Sequence, residues 1–157
     1  MATRGASEVS RLRSSLRDAF NRAKSLSNAD TEIQSDFARY LCVLVSGFVE
    51  TCVAELAIEH CKQRSSTTVT NYAAGQLDRL QNLKAQKLVQ LVGSFEKKWA
   101  IDLSAFMDGA PKEALDSVIN LRNKIAHGQS VSLSLGRITQ YHEKIDEIIV
   151  YVANLLK

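Results

Sequence analysis

The amino-acid sequence predicts an all-α bundle of about five or six helices, folded as one domain over residues 1–157, with a long second helix. The chain has one proline and seven glycines, so few residues interrupt helices. Apolar residues recur at three- and four-residue steps along most of its length, which is the spacing of one helix face. A chain of 157 residues can bury one good core and is short for two.

The net charge and the cysteine content indicate which partners and which cellular compartment suit the protein. The formal net charge of +3 suits an anionic partner such as RNA but does not require one. Cys42, Cys52 and Cys61 are odd in number and lack C-x-x-C spacing, so neither a disulfide framework nor a zinc site is predicted and a reducing, cytoplasmic setting fits best. The sequence has no phosphate-binding glycine loop, H-E-x-x-H motif or paired acidic motif, so we expect no metal and no cofactor.

Two segments resemble membrane or targeting sequences. Residues 40–57 are apolar, but two glutamates interrupt them, which favours a buried core helix over a membrane span. Residues 1–25 are rich in arginine and serine, as transit peptides are, yet Glu8, Asp18 and a regular apolar spacing favour an integral first helix. We therefore expect no membrane partner.

The first helix is predicted from about Ser7 by a single apolar stripe. This stripe consists of Val9, Leu12, Leu16, Phe20 and Ala23. The opposite face holds Arg13, Arg17 and Lys24. Such a basic face is either solvated or a track for phosphates, and the spacing alone does not distinguish the two.

Asp30 is placed to cap a second helix of more than about thirty residues. Residues 40–49 of that helix are apolar nearly all round, so we expect its own bundle and a second copy of the chain to cover them. Gly47 lies in this stretch and is predicted to permit close helix approach.

The middle of the chain predicts a loop and then a long helical region. Residues 63–68 are polar and suggest an exposed loop, followed by helix over residues 69–95 with an interruption near Asn82. Phe95 and Trp99 lie four residues apart and are predicted to anchor the end of this region to the core.

A candidate functional helix has clear start and stop signals. Proline suits the first turn of a helix because it has no amide hydrogen to leave unpaired, so this helix is predicted to begin at Pro111. Gly128 occupies a natural C-terminal capping position, so the helix should end at His127 or within a residue of it. The last helix is predicted from about Ser134.

Arg122 lies in the middle of the apolar face of this helix. A wheel of about 100° per residue places it among Leu115, Val118 and Ile125. Burying an arginine requires a carboxylate, a cluster of carbonyls or a bound anion, because the guanidinium stays charged.

His127 follows about 140° further round the wheel and near the carboxyl end of the helix. A guanidinium and a titratable imidazole about one turn apart can act on a phosphodiester, because one stabilises developing negative charge while the other moves a proton. Such a pair needs no metal. The structural alternative is that Arg122 bridges a buried Glu50 or Glu55 and that His127 only caps a helix end, and periodicity does not choose between them.

The segment Leu121–Gly128 (LRNKIAHG) resembles the R-x-x-x-x-H signature of HEPN domains, including the polar residue after the arginine and the small residue before the histidine. The rest of the chain is similar to the RiboL-PSP branch of these domains. The similar features are FARYL and SGFVE on the long second helix, the Phe95 and Trp99 pair, and the turn over residues 131–137. The resemblance runs roughly from Asp30 to the C terminus and covers the first helix, residues 1–28, least.

This resemblance implies a bundle that dimerises so that two motif helices face each other and Arg122 and His127 of both copies line one cleft. Family members are commonly ribonucleases of toxin, restriction or other defence systems. The implied reaction is attack of a ribose 2′-hydroxyl on the adjacent phosphate, leaving a 2′,3′-cyclic phosphate and a 5′-hydroxyl. Asn123 would orient the phosphate or its partner residues, and Lys124 is either a cation at the rim or an ordinary exposed lysine.

Two other functions stay open at this point. One is a non-catalytic HEPN module that binds RNA or a protein partner through the same cleft, for example as half of a toxin and antitoxin pair. The other is a dimerisation domain in which Glu50 neutralises Arg122. Fold similarity does not decide among them, because function belongs to the site.

Overall fold

The computed structural model describes residues 2–157, and this part of the chain contains seven helices and no strand. The helices are α1 (Arg4–Lys24), α2 (Thr31–Arg64), α3 (Thr67–Leu77), α4 (Ala85–Phe95), α5 (Lys97–Met107), α6 (Ala110–Ala126) and α7 (Leu135–Leu155). The all-α prediction is confirmed, and the count is one or two helices higher than expected.

The extra helices come from the middle of the chain. The region expected as one interrupted helix forms α3 and α4, and the interruption near Asn82 is confirmed: Asn82 has a left-handed φ of 53°. The α5 helix was not predicted, because only Glu96, in extended conformation, separates it from α4. The loop expected over residues 63–68 is only Ser65 and Ser66.

Capping side chains determine where the first two helices begin. Thr3 accepts a hydrogen bond from the Ala6 amide at the start of α1, and Asp30 accepts one from the Glu32 amide at the start of α2. The predicted cap at Asp30 is therefore confirmed. At 34 residues, α2 is also as long as the sequence indicated.

The central helix of the bundle is α2, which contacts α1, α3, α6 and α7. The core contains large side chains with almost no exposed surface, among them Leu41, Leu88, Leu103, Leu115, Ile145 and Ile149. By length and composition alone α2 could cross a membrane, but 56% of its most apolar 18-residue window is buried inside the protein. The core-helix interpretation accounts for that burial.

Contacts between α2 and the last two helices fix their relative directions. The ring centroids of Phe48 and His142 lie 6.5 Å apart, and His60 Nδ1 lies 2.9 Å from the Leu156 carbonyl oxygen. Along α2 the contact at Phe48 precedes the one at His60, and along the last helix the partner His142 precedes Leu156. The two helices α2 and α7 are therefore parallel. Because α6 and α7 pack against each other and only residues 127–134 join them, these two helices run antiparallel. Hence α6 runs antiparallel to α2, and the Cys42 Sγ atom donates a 3.6 Å hydrogen bond to the Val118 carbonyl oxygen.

Gly47 does not serve a close approach between helices of this chain. A Cβ atom added there would meet nothing within 4 Å, because the residue lies on the exposed face of α2. That face also carries Ile33, Tyr40 and Val43, whose side chains stay substantially exposed. The stretch over residues 40–49 is therefore covered only in part by its own bundle.

His142 is held between aromatic rings at the junction of α1, α2 and α7. Its imidazole stacks on Phe20, with centroids 4.3 Å apart and planes 11° from parallel, and its Nε2 atom is buried without a hydrogen-bond partner. Burial lowers the pKa of His142 below the ordinary 6.5, although the carboxylates of Asp146 and Glu143 oppose this effect. The neutral imidazole is thus the form that fits the folded protein.

This burial predicts a pH-dependent loss of stability. Because the folded-state pKa of His142 is lowered, its contribution is fully present above 6.5 and is lost as pH falls through the folded-state value. We expect the free energy of unfolding to fall more steeply from about pH 7.5 to about pH 5 in the wild type than in His142→Phe, as measured by urea unfolding. Equal pH slopes for the two proteins would show that His142 does not titrate in this way.

Candidate active site

The start of α6 depends on a glycine whose backbone conformation other residues rarely adopt. Gly109 precedes the helix with a φ of +87°, a conformation that favours glycine. Pro111 then lies in the first turn, as predicted, although the helix begins one residue earlier at Ala110. These residues set the position of α6 along the bundle.

The end of α6 is a Schellman motif that presents His127 at the helix terminus. Gly128 has a left-handed φ of 69°. Its amide donates to the Ile125 carbonyl oxygen at 3.0 Å, and the Gln129 amide donates to the Lys124 carbonyl oxygen at 2.9 Å. The predicted end at His127 is confirmed, since His127 is the C-cap residue.

Arg122 is half-buried near this end of α6 and forms no ion pair with any residue in 2–157. Its Nη1 atom donates to the Asn123 Oδ1 atom at 3.2 Å. Because Val118 lies opposite Cys42 and the helices are antiparallel, Arg122 lies near the level of Ala38 on α2. Because the Arg122 guanidinium makes only the hydrogen bond to Asn123 within residues 2–157, most of its N–H donors stay available.

Glu50, the possible charge partner of Arg122, forms its hydrogen bond elsewhere. Its Oε1 atom accepts a hydrogen bond from the Asn82 amide at 3.0 Å. That amide belongs to the left-handed residue between α3 and α4 and has no helical carbonyl to pair with, so the carboxylate satisfies it. The expected pairing of Glu50 with Arg122 is absent from the structure, and Glu55 forms no ion pair with it either.

His127 and Lys124 are exposed, while Asn123 is half-buried against Arg122. His127 follows Arg122 by five positions, which corresponds to about 7.5 Å along the helix axis and about 140° around it. The structure thus brings Asn123 into contact with Arg122 and leaves His127 open to solvent one turn away. One chain offers a fixed cation and an accessible imidazole on the same helix end.

A second arginine near the motif was missed from the sequence. Arg137, in the first turn of α7, is exposed and lies over the ring of Tyr141, with 5.9 Å from Cζ to the ring centroid. The signal that would have found it is an absence: between Asp116 and Glu143 the sequence contains no acidic residue.

Three other ionisable groups, His60, Cys42 and Cys52, are buried inside the bundle. His60 packs edge-on against Phe95 and Trp99, which confirms that these aromatic residues anchor to the core. Burial raises the pKa of Cys42 to about 11 and that of Cys52 to about 12. These two thiols stay protonated near neutral pH and are poor nucleophiles.

No group of three or more histidine, cysteine, aspartate or glutamate side chains within residues 2–157 is arranged to hold a metal ion. Near this end of the bundle, Arg122 and His127 of α6 are the side chains best suited to bind or act on a ligand. They suit an anionic ligand, because a guanidinium binds phosphate oxygens through paired N–H donors.

A family model described as RiboL-PSP-HEPN matches residues 7–157. The chain belongs to the RiboL-PSP-HEPN family. No curated protein and no solved structure matches it. The match extends over most of α1, which the resemblance in the sequence covered least, and it includes the whole of α6. In this HEPN domain the R-x-x-x-x-H segment is the C-terminal turn and cap of α6.

Because Arg122 has no carboxylate partner within residues 2–157, substituting it should cost the fold little stability. We expect Arg122→Ala to change the free energy of unfolding of this HEPN domain by less than about 1 kcal/mol, whereas breaking a buried ion pair costs about 3–5 kcal/mol. Urea unfolding measures the difference. Arg13→Ala is the comparison variant, because Arg13 forms a partly exposed ion pair, at 2.8 Å from Asp146, whose loss should cost less than that of a buried pair. A loss of several kcal/mol for Arg122→Ala would support a structural role.

Proposed function

We propose that this protein is a metal-independent endoribonuclease with Arg122 and His127 as its catalytic residues. The observation that carries the proposal is the state of Arg122: it is half-buried, without an ion-pair partner in residues 2–157, one turn from an exposed histidine. A free guanidinium in such a place suits a bound anion. Members of the HEPN family that resemble this chain are commonly ribonucleases, which agrees with an RNA phosphate as that anion.

The reaction is an intramolecular transfer at phosphorus. The ribose 2′-oxygen attacks the adjacent phosphorus atom while the bond from phosphorus to the 5′-oxygen of the next nucleotide breaks. His127 takes the proton from the 2′-hydroxyl and later releases it to solvent, while water protonates the departing 5′-oxygen, so the products are a 2′,3′-cyclic phosphate and a 5′-hydroxyl. Arg122 stabilises the negative charge that builds up on the non-bridging oxygens, and Asn123 orients its guanidinium.

The active form is a homodimer in which both motif helices contribute to one cleft. Support comes from α2, where Ile33 is 53%, Tyr40 48% and Val43 43% exposed in the single chain. Gly47 on the same face leaves room for another helix, and no helix of this chain fills it. This face lies near the level of Arg122 along the bundle, but Gly47 is about 140° around α2 from Cys42, which contacts α6. The exposed face therefore supports a homodimer, and the shared cleft rests on the family resemblance.

A charge placed on this α2 face should separate the two copies. We expect light scattering to give the mass of a dimer for the wild type and of a monomer for Val43→Glu, because a dimer would bury the new carboxylate unpaired. Val69→Glu is the matched control: Val69 is also exposed, at 53%, but lies on α3 and should leave the dimer intact. A monomeric wild type across all concentrations would contradict the homodimer.

The catalytic proposal is tested by incubating purified protein with labelled single-stranded RNA in EDTA and analysing the product ends. We expect the wild type to leave 2′,3′-cyclic phosphates. His127→Ala should lose about 10²- to 10⁴-fold in rate with its proton-transfer group, and Arg122→Gln about 10²- to 10³-fold with its charge stabilisation. The variants, purified identically, also control for contaminating nuclease.

Equal cleavage by wild type and His127→Ala would reject the catalytic assignment. Inactivity of all three proteins on RNA pools of varied sequence and structure would favour the second function, a HEPN module that binds RNA or a protein such as an antitoxin without cleaving. Activity that EDTA abolishes and Mg²⁺ restores would reject metal independence. The proposal includes a role as a toxin or in another defence system in the cytoplasm. That role requires the RNA cleavage that this experiment tests.

A further inference from the structure

We propose that Arg137, supported by Tyr141, is a second phosphate-binding residue that positions RNA across the hairpin of α6 and α7. This inference rests on the proposed function, because it extends the RNA site beyond Arg122 and His127. The RNA strand then runs from the end of α6, over the turn at residues 127–134, to the first turns of α7.

The charge distribution of the hairpin favours a polyanion. Every charged residue between Asp116 and Glu143 is cationic: Arg122, Lys124 and Arg137. On the neighbouring part of α2, the Asp36 carboxylate is already paired with Arg39. The chain as a whole is nearly balanced, with 20 basic and 17 acidic residues, so an acid-free stretch of this length is a local feature rather than an average property.

The direction of Arg137 on α7 places it beside α6. One flank of α7 contacts α1 and α2 through His142, and the other contacts α5, where Tyr151 stacks on Phe106 at 4.2 Å. At about 100° per residue, Arg137 lies about 40° from Tyr151 and about 140° from His142 around the helix. Arg137 therefore projects from the flank that is turned toward α5 and α6.

The level of Arg137 along the bundle also matches the motif. His142 lies opposite Phe48 on α2, so Arg137 lies near the level of Val43, whereas Arg122 lies near Ala38. The two arginines are then separated by about five residues of helix rise, or about 8 Å along the bundle axis. Adjacent groups of one RNA strand can span such a distance.

Tyr141 holds the guanidinium of Arg137 without using up its donors. The contact is a cation–π interaction, with the Tyr141 ring itself half-buried against the core. Such stacking limits the motion of the arginine but leaves its N–H groups free for phosphate oxygens. No carboxylate within residues 2–157 pairs with Arg137, so its positive charge is available to a ligand.

The test measures binding of a fluorescein-labelled single-stranded RNA of mixed sequence to His127→Ala protein, which should not cleave it, from about 50 to about 200 mM KCl. Adding Arg137→Gln should weaken binding about tenfold and make the slope of log K against log salt shallower by about 0.7, the loss of one phosphate contact. Arg137→Lys should keep the slope. Arg79→Gln is the matched control, because Arg79 is exposed, forms no ion pair and lies outside the hairpin.

The two possible failures can be told apart. If the wild type cleaves RNA and His127→Ala binds it, but Arg137→Gln and Arg79→Gln have the same affinity and salt slope, the role of Arg137 is overturned while the proposed function stands. If His127→Ala does not bind RNA and the wild type does not cleave it, both proposals are overturned. A loss of affinity with an unchanged salt slope would also reject a phosphate contact by Arg137.

Discussion

The antiparallel packing of α2 against α6 is the constraint on which the rest of the structure depends. Cys42 and Val118 face each other across this contact, where the buried thiol donates to a helix carbonyl. Since α7 runs parallel to α2 and returns from α6 by a short turn, the same contact determines which ends of the last two helices meet. The motif, the turn and the first turns of α7 consequently gather at one end of the bundle.

At that end the protein combines an unpaired cation with an exposed imidazole. A carboxylate is one group that can offset the burial of an arginine, and this bundle directs Glu50 to the Asn82 amide instead. The Schellman motif at Gly128 then stops α6 directly after His127, so the imidazole stays at the surface. Both features are accounted for if a ligand supplies the missing negative charge.

Local signals made much of this fold predictable from the sequence. The Asp30 cap, the Pro111 start and the Gly128 stop each depend on residues within a few positions, so helix boundaries near them were correct to about one residue. The α5 helix was missed because neither proline nor glycine separates it from α4. The partner of Glu50 and the place of Arg137 depend on contacts between distant segments, which periodicity does not contain.

The most direct test of the account is where RNA touches the protein. Backbone amide shifts can be followed by NMR while ¹⁵N-labelled protein is titrated with a 2′-O-methyl RNA, which lacks the attacking hydroxyl and therefore stays intact. We expect the largest shift changes within residues 117–142, where the hairpin of α6 and α7 has no acidic side chain. Changes concentrated on the basic face of α1 around Arg17, or no changes at all, would contradict it.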